Sequence, residues 1–469
     1  MSFLESLSNF IWGPWLLGAF LVVGGYYSLR TGFFQIFGFP TWWKTTVGRI
    51  LCRKKKQQGG GALTQLQALS TALAATIGTG SIAGVATAIF FGGPGAVFWM
   101  WVSALVGMMT GCAEKILAVR YREKDGQGRW RGGPMVYIRD GLHLPGLAAM
   151  FSLFCVAETL AGGNLAQANS IATSLHAAFG VDRLVVGVVL AVIVSAVLLG
   201  GVQRVGRISE LLVPLMAALF IGGGFVVIVF HIQAVPEAFS QILQYAFEPR
   251  AAVGGYCMGT ALRFGVARGV FTNEAGLGMS AIAHACADVE EPAEQGMWGI
   301  FEVFFATLVI CTVTALVILT SGVYEPSAAL DMIAGGSVPE AMLGAPLTAA
   351  GFATVLGGAG EWIVSVCLIL FAFTSLLGAG YYGRRGIESL TQGRWAVVLY
   401  QLAFPACIVF GSVGDLTAVW QLVDIFNGLL AAPNLLALLL LLSPEVVRQL
   451  HGWLSRRRES RAGRLDGQP

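Results

Sequence analysis

Two short glycine-containing stretches interrupt otherwise apolar segments, and they lie about half a chain apart. They read Ala74-Ala75-Thr76-Ile77-Gly78-Thr79-Gly80-Ser81 and Gly269-Val270-Phe271-Thr272-Asn273-Glu274-Ala275-Gly276. In a lipid bilayer, irregular backbone is tolerated only where it is buried in protein or lines a cavity. A matched pair of interrupted hydrophobic segments in the two halves of a chain therefore indicates the binding site of an alternating-access transporter.

The composition is that of a membrane protein. The chain has 469 residues, of which 56% are hydrophobic and 12% are charged, with a formal net charge of +3. A soluble protein has about 25% charged residues. The basic residues lie in loops and do not form a nucleic-acid-binding face. The eight cysteines are scattered without a CxxC pair, so the sequence predicts neither a metal site nor a disulfide framework.

Hydropathy predicts the number of membrane spans. A span needs roughly 20 mainly apolar residues. Eleven segments qualify, near 11–29, 64–90, 94–118, 146–178, 184–202, 208–231, 252–283, 296–320, 357–383, 395–413 and 418–442. The two interruptions fall in the first segment of each successive group of five. Five is an odd number, so the two groups have opposite orientation, as an inverted repeat requires.

The predicted fold class is thus an all-α integral membrane protein with about eleven transmembrane helices, two of them broken. Residues 1–60 would form a peripheral helix and an interfacial segment. Residues 61–235 and 236–445 would form the two five-helix repeats, and residues 446–469 a basic tail.

The charge pattern of the loops predicts the orientation. Most of the 29 lysine and arginine residues fall in alternate loops and the tail, within residues 30–56, 115–139, 204–207, 384–394 and 448–464. Short loops rich in lysine and arginine stay in the cytoplasm. The pattern predicts a multi-pass protein of the plasma or inner membrane, with the N-terminus outside and the C-terminus in the cytoplasm.

The residues of the first interruption suit an amino acid and a small cation. Gly78 and Gly80 permit backbone angles that other residues avoid. Unwinding there frees N–H groups at the start of the second half-helix, where the helix dipole also attracts a carboxylate. The carbonyls of Ala74 and Ile77 are hard oxygen donors that suit a small cation. The alternative interpretation is close helix packing through small residues.

Motifs over most of the chain resemble those of the alanine/glycine:cation symporter family. They are Gly78–Ala86, Gly92–Trp101, Gly163–Ser170, Ala267–Gly278, Pro292–Gly296, Asp424–Gly428 and Pro433–Leu435. The family is similar in fold to the leucine-transporter type. The resemblance implies an importer of neutral amino acids driven by an inward sodium gradient, with Na⁺ as the coupling ion and H⁺ as the alternative.

The resemblance also implies site residues. The substrate carboxylate would meet the backbone around Gly78, Thr79 and Gly80. Its amino group would meet carbonyls near Phe271, with help from Gln167. The full set of substrate-binding positions is Gly78, Thr79, Gly80, Gln167, Phe271, Thr272, Asn273 and Ala379. The sodium ligands would be Ala74, Ile77, Thr374 and Ser375, although hydroxyls in membrane helices usually bond to the preceding turn.

Three positions depart from the family pattern. The family commonly has Trp, Asn and Asp where this chain has Ala379, Ser81 and Ala306. The smaller residue at position 379 predicts a pocket that accepts side chains larger than alanine, unless another side chain fills the space. The other two changes concern a possible second cation or proton site, for which the candidates are Thr76, Ser81, Thr272 and Glu302.

Among the carboxylates within predicted spans, where such groups are costly and commonly functional, two are candidates for a coupling role. Glu302 precedes Ala306 by one turn and shares its helix face. It would either replace the missing Asp or pair structurally with Arg263 or Arg268. Glu158 is the second carboxylate, and either one would permit proton coupling. A satisfied polar contact is the simpler interpretation of each.

An enzyme is not expected, because the spans contain no HExxH motif, no Cys-His constellation and no Ser-His-Asp set. The expected partners are a small neutral amino acid and the lipid bilayer, without nucleic acid; the oligomeric state is not predicted. Two alternatives remain open: a proton-coupled amino-acid symporter, and a transporter-like amino-acid receptor without net transport.

Overall fold

The computed structural model describes residues 3–51, 62–126, 128–248, 257–336, 338–339, 342–391, 393–414, 416–440 and 442–465. In chain order the α-helices are α1 Phe3–Ile11, α2 Pro14–Arg30, α3 Phe34–Phe37, α4 Phe39–Thr45, α5 Val47–Leu51, α6 Gln65–Thr76, α7 Ala83–Gly92, α8 Gly95–Arg120, α9 Pro134–Leu142, α10 Pro145–Leu160, α11 Ala166–Phe179, α12 Arg183–Leu198, α13 Gly201–Phe230, α14 Val235–Ala246, α15 Met258–Asn273, α16 Ser280–His284, α17 Pro292–Val303, α18 Thr312–Thr320, α19 Pro326–Ala334, α20 Ala345–Leu356, α21 Gly358–Leu390, α22 Arg394–Val413, α23 Leu416–Leu440 and α24 Ser443–Leu465. Short 3₁₀ turns lie at Thr79–Ser81 and Ile232–Ala234.

The described β-structure is one small antiparallel hairpin and an isolated parallel bridge between Leu63 and Ala287. The strands of the hairpin are β1 Glu123–Lys124 and β2 Trp130–Arg131, with Glu123 paired to Arg131. Everything else that positions the site is helical, which confirms the all-α prediction.

Eight helical runs in the described residues are long and apolar enough to cross a bilayer. They are Ser6–Arg30, Gly95–Arg120, Pro145–His176, Gly201–Phe230, Pro292–Thr320, Gly358–Leu390, Arg394–Val413 and Gln421–Leu439. The predicted segment 64–90 is divided between α6 and α7, and segment 184–202 contains the shorter α12. Segment 252–283 is divided between α15 and α16, and its first residues, 252–256, lie outside the described residues. The count of eleven spans therefore stays a prediction.

The first interruption separates α6 from α7. Helix α6 begins with a capping box in which Thr64 and Gln67 satisfy each other's backbone N–H groups. It ends at Thr76, and Gly78 follows in an extended conformation at φ −106° and ψ −158°. Gly80 also lies outside the positive-φ region. The expectation that these glycines supply unusual backbone angles is therefore wrong; their role is steric.

The second interruption separates α15 from α16 and does need unusual angles. Glu274 follows α15 at φ 53°, and Gly276 and Gly278 lie at φ 97° and 79°. A non-glycine residue with positive φ is uncommon and costs free energy. Glu274 is thus held in its conformation by its surroundings.

Two helical runs contain wide π-helical turns. The first, at Ala161–Leu165, joins α10 to α11, and the second, at Phe304–Cys311, joins α17 to α18. Such turns occur frequently at functional sites because they redirect side chains and free backbone groups.

Close contacts between small residues position the helices around the interruptions. Gly111 of α8 and Gly299 of α17 face each other, and a Cβ on Gly299 would lie 2.5 Å from the Gly111 carbonyl oxygen. Small residues allow membrane helices to approach in this way. Helix α17 is thereby fixed against α8, which also packs along α15.

Candidate functional site

A small cavity of about 40 Å³ lies where the two interruptions meet. It is lined by Ala75, Thr76, Gly78, Gly80, Glu158, Gly162, Gly163, Gln167, Phe271, Glu274, Leu277, Met279, Ser375 and Asn427. These residues come from both interruptions, from the π-helical turn after α10, and from α21 and α23. Interrupted helices at membrane depth are expected to line such a cavity.

Half of the predicted substrate-binding residues line this cavity. Gly78, Gly80, Gln167 and Phe271 are among its walls. Thr79, Thr272, Asn273 and Ala379 are buried behind those walls.

The first interruption approaches α21 closely, and Ser375 bridges the two. The Ser375 hydroxyl donates to the Ala74 carbonyl at 3.0 Å and to the Ala75 carbonyl at 3.3 Å. A Cβ on Gly78 would lie 2.9 Å from the Ser375 Oγ. Glycine at position 78 permits this approach because it has no side chain. Gly78, which marked the interruption in the sequence, therefore acts sterically.

Thr374, the other predicted hydroxyl ligand, is engaged within its own helix. Its hydroxyl donates to the Phe371 carbonyl at 3.0 Å, one turn earlier, and lies 3.8 Å from the Met216 sulfur. Ile77 is buried and donates its N–H to the Leu73 carbonyl. Of the four predicted sodium ligands, the structure joins Ala74 and Ser375 by a direct contact.

Phe271 covers the first interruption from the second. A Cβ on Gly80 would lie 2.8 Å from the Phe271 ring and 3.3 Å from the Thr272 hydroxyl. Thr272 donates back to the Arg268 carbonyl at 2.8 Å. Gly80 therefore permits contact between the two interrupted helices at the cavity.

Asn273 stabilises the turn of the second interruption. Its amide nitrogen donates to Thr307 at 3.2 Å, and its amide oxygen accepts from the Ala275 N–H at 3.0 Å. The side chain thus has partners at both ends of its amide group.

Thr79 and Ser81 differ from Asn273, because their buried hydroxyls have no hydrogen-bond partner among the described residues. The Ser81 carbonyl accepts from the Thr314 hydroxyl at 2.8 Å, which connects the first interruption to α18. Thr76 lines the cavity and donates to the Ala72 carbonyl at 3.1 Å.

Glu302 has different partners from those expected. Its Oε2 lies 3.2 Å from the Lys115 Nζ and 3.2 Å from the His284 Nε2, and all three side chains are fully buried. The predicted pairing with Arg263 or Arg268 is wrong, because both arginines belong to α15 and contact other groups. Arg263 donates to Asn9, and Arg268 pairs with Asp424 of α23 at 3.3 Å.

We call these buried side chains the Lys115 ion cluster: Lys115, Glu302, His284 and also Glu114, which lies on the same helix as Lys115. Glu114 accepts from the Gly276 N–H at 2.9 Å and from the Asn434 amide at 2.8 Å, while Lys115 lies 3.5 Å away. The cluster therefore joins α8, α17, the second interruption and α23. Glu302 is part of this buried cluster and is absent from the cavity walls, so the second-cation candidates do not come together as a set.

Ala379 lies directly behind one wall of the cavity. A Cβ on Gly163 would clash with the Ala379 Cβ, so the two backbones are in close contact. Gly163 lines the cavity, whereas Ala379 packs with apolar neighbours of α12 and α22. The small residue at position 379 therefore lets α21 pack directly on the π-helical turn.

Glu274 and Asn427 are cavity residues that the sequence interpretation missed. Glu274 belongs to the second interruption itself, and an acidic residue inside an interrupted membrane helix is a signal that could have identified it. Asn427 lies on α23 within the family-like motif Asp424–Gly428, and that motif is a signal that could have identified it. Glu158 lines the cavity, as its position within a predicted span allowed.

A larger cleft of about 380 Å³ lies between α12, α13, α21 and α22. Its walls are mostly apolar, for example Leu198, Val202 and Phe404, and it contains no residue of either interruption. Its position away from the interruptions makes it the weaker candidate for a site that binds a zwitterion.

Known proteins resemble this chain over nearly its whole length. The model of the sodium:alanine symporter family matches residues 1–466. The sodium/alanine symporter AgcS of Methanococcus maripaludis is 40% identical over 445 residues, which are 94% of each chain. The probable sodium/glutamine symporter GlnT of Bacillus subtilis is 35% identical over 437 residues, covering 92% of this chain and 87% of that protein.

Among solved structures, MhsT in complex with L-phenylalanine has a TM-score of 0.52 at 14% identity, covering 84% of this chain and 96% of that one. This likeness shows the leucine-transporter-type fold. The chain thus belongs to the sodium:alanine symporter family and is a multi-pass membrane transporter of amino acids rather than an enzyme.

Proposed function

We propose that this protein imports neutral amino acids by alternating access, coupled to an inward sodium gradient. The observation that carries the proposal is the single cavity at which both interrupted helices meet, with Ser375 bridging to the Ala74 carbonyl at its edge. In secondary transporters, substrate and coupling ion bind at such a junction of interrupted helices.

The substrate carboxylate would bind the backbone at Gly78, Thr79 and Gly80, at the start of the half-helix that leads into α7. Backbone N–H groups and the helix dipole favour an anion there. Phe271 would pack on the substrate side chain, and Gln167 would assist its amino group. Sodium would bind at the Ala74 carbonyl and the Ser375 hydroxyl, next to the carboxylate.

Coupling would follow from this adjacency. The same stretch of backbone would supply ligands to the ion and to the carboxylate, so each would favour binding of the other. The names of the relatives, sodium/alanine symporter and probable sodium/glutamine symporter, support sodium as the ion and a neutral amino acid as the substrate.

The proposed arrangement in the membrane follows the basic loops. We propose that the protein lies in the plasma or inner membrane, with its N-terminus outside and its C-terminus in the cytoplasm. The core would consist of residues 61–235 and 236–445 as inverted repeats, with residues 1–60 at its periphery.

Uptake by the purified protein in proteoliposomes tests this function. Labelled neutral amino acids from glycine to glutamine and leucine would be supplied with an inward sodium gradient, or with a proton gradient alone. We expect uptake with sodium only, and the same result in the exposed control Glu237→Gln. Uptake with protons alone would establish the proton-coupled alternative, and saturable binding without uptake would establish a receptor.

We also propose that substrates larger than alanine are accepted. The support is the direct contact of the small Ala379 with Gly163 of the cavity wall, where a larger residue would press inward, together with a relative named as a probable glutamine symporter. In Ala379→Trp, we expect uptake of glutamine and leucine to fall more than uptake of alanine, because the indole would press the π-helical turn towards the cavity. An unchanged ratio of these rates would contradict the volume argument.

A further inference from the structure

Two carboxylates face the cavity from opposite sides. Glu158 comes from α10 and Glu274 from the second interruption, and their exposed fractions are 5% and 7%. None of the described residues that line the cavity is a lysine or an arginine. A buried carboxylate without a positive partner is costly, so each of the two either takes up a proton or binds another cation.

The nearby Lys115 ion cluster does not provide enough of it. Glu274 is within electrostatic range of Glu114, Glu158, Glu302 and Lys115. Lys115 already contacts Glu114 and Glu302, and His284 contacts Glu302. Four buried carboxylates therefore share one lysine and one histidine, which leaves the two at the cavity without a committed positive partner.

Three polar atoms at the cavity walls, one of them on Glu274 itself, lack hydrogen-bond partners among the described residues. They are the Gln167 Oε1, the Glu274 Oε2 and the Asn427 Nδ2. Gln167 is 5% exposed and Asn427 is 2% exposed. The two ends of an asparagine amide are assigned rather than observed, so Asn427 can also present its oxygen. The cavity thus offers carboxylate and amide oxygens, which are donors that suit a hard cation.

The conformation of Glu274 supports a ligand role. Its backbone lies in the left-handed region at φ 53°, which is unfavourable for a residue with a side chain. Gly162, beside Glu158, is equally constrained, because a Cβ there would clash with the Glu158 carboxylate. The positive φ at Glu274 and the absence of a side chain at Gly162 therefore accommodate the two carboxylates.

We propose that Glu158 and Glu274 bind a second monovalent cation in the cavity, with Gln167 and Asn427 as neutral ligands. The inference rests on the proposed function, because the cavity is the one assigned to the substrate. It replaces the grouping around Glu302, which the Lys115 ion cluster occupies. The cation is either a second sodium ion or the side-chain ammonium group of a diamino acid.

The balance of charge explains why the cation is monovalent. When both carboxylates are ionised, their two negative charges are neutralised together by one monovalent cation and the substrate ammonium group. The substrate carboxylate is then matched by the sodium ion at Ala74 and Ser375.

Binding of radioactive sodium to the purified protein without substrate tests the site directly, with Glu158→Gln and Glu274→Gln as variants and Glu237→Gln as the control. If the cation is sodium, we expect the wild type and the control to bind two ions and each cavity variant to bind one. The affinity for the lost ion should fall at least about tenfold, as for altered ligand spheres elsewhere. Equal thermal unfolding midpoints would show that the variants are folded.

Substrate measurements separate the two sources of the cation. If it is sodium, transported sodium per amino acid falls by one in each variant. If it is an ammonium group, the wild type binds one sodium ion with either substrate, ornithine binds the wild type more tightly than alanine does, and the variants lose ornithine binding. Variants that keep both ions and an unchanged ornithine affinity would overturn the proposal.

These outcomes are distinct from failure of the proposed function. Absence of amino-acid uptake in the wild type would contradict the transport proposal. The direct measurement of sodium binding would still test the Glu158 and Glu274 site, because it needs no transport. Proton movement carried by either glutamate, with only one sodium ion bound in the wild type, would also overturn the proposal.

Discussion

The two interruptions differ in what stabilises them. The first is bonded by neutral hydroxyls: Ser375 donates to Ala74, Thr314 to Ser81, and Thr348 to Ile82 at 3.2 Å. The second interruption is stabilised by buried charged side chains. Glu114 accepts from the Gly276 N–H, and Lys115 ties Glu114 to Glu302.

This difference suggests that one interruption can rearrange more easily than the other. Hydroxyl bonds are individually weak, about 0.5–1.5 kcal/mol each in net terms, so they can be exchanged for contacts to an ion or a carboxylate. A buried ion cluster is costly to break and keeps its geometry. We expect the first interruption to rearrange during binding and the Lys115 side of the second to stay fixed.

The largest expected effect comes from disrupting the Lys115 ion cluster, which holds the second interruption in place. Lys115→Met leaves Glu114 and Glu302 buried without their cation, and we expect a loss of about 3–5 kcal/mol in the free energy of unfolding. Denaturant unfolding in detergent measures this loss. Arg49→Met is the control, because the Arg49–Glu294 pair is partly exposed and such pairs contribute about 0–1 kcal/mol.

A double variant sharpens this test. Removing the Glu302 charge in Lys115→Met/Glu302→Gln should restore part of the lost stability. Equal stability of Lys115→Met and the wild type would show that the second interruption does not depend on buried charge.

The next largest effect concerns the contact between the interruptions. In Gly80→Ala the new Cβ would lie 2.8 Å from the Phe271 ring, and overpacking of this kind costs about 1–3 kcal/mol. We expect amino-acid affinity to fall by at least about tenfold, the equivalent of 1.4 kcal/mol. Gly84→Ala, on the same half-helix, is the matched control, because its nearest contact is 4.0 Å away. Similar affinities in the two variants would exclude close approach as the role of Gly80.

A smaller effect distinguishes two adjacent hydroxyls. Ser375→Ala removes the group that reaches the Ala74 carbonyl, and we expect the sodium concentration for half-maximal uptake to rise by up to about tenfold, from the loss of 0.5–1.5 kcal/mol. Thr374→Ala removes a hydroxyl that bonds within its own helix and should change this concentration less. The reverse order would return Thr374 to the ion site and remove Ser375 from it.

The smallest effect is expected at the Arg268–Asp424 pair, which joins α15 to α23. The two side chains are 18% and 25% exposed, so the pair should contribute about 1 kcal/mol or less. Asp424→Asn should therefore alter uptake only a few-fold, as a rate assay would show. A loss as severe as that of Gly80→Ala would mean that this pair belongs to the site.

The sequence predicted the parts of the site that depend on local pattern. Interrupted apolar segments identified both broken helices, and motif resemblance brought Gly78, Gly80, Gln167 and Phe271 to one place. The all-α fold class followed from hydropathy. These features are encoded within single segments or in motifs that the family shares.

Contacts between distant helices could not be predicted in the same way. Glu302 pairs with Lys115 because α17 packs on α8 through Gly299 and Gly111, and no local pattern reveals which helices are neighbours. The steric role of Gly78 depends likewise on Ser375, almost 300 positions away. The number of spans was uncertain because interrupted helices and the short α12 have little uninterrupted apolar length.

The bridge from Ser375 to Ala74 also has a kinetic consequence. At the ion site that we propose, a sodium ion arriving at the Ala74 carbonyl would have to turn the Ser375 hydroxyl proton away, so the ion would replace an existing hydrogen bond instead of filling a void. Part of its binding free energy is thereby offset, and its departure restores the bond. A site built in this way favours rapid release over long residence, which suits a carrier that must discharge its ion in every turnover.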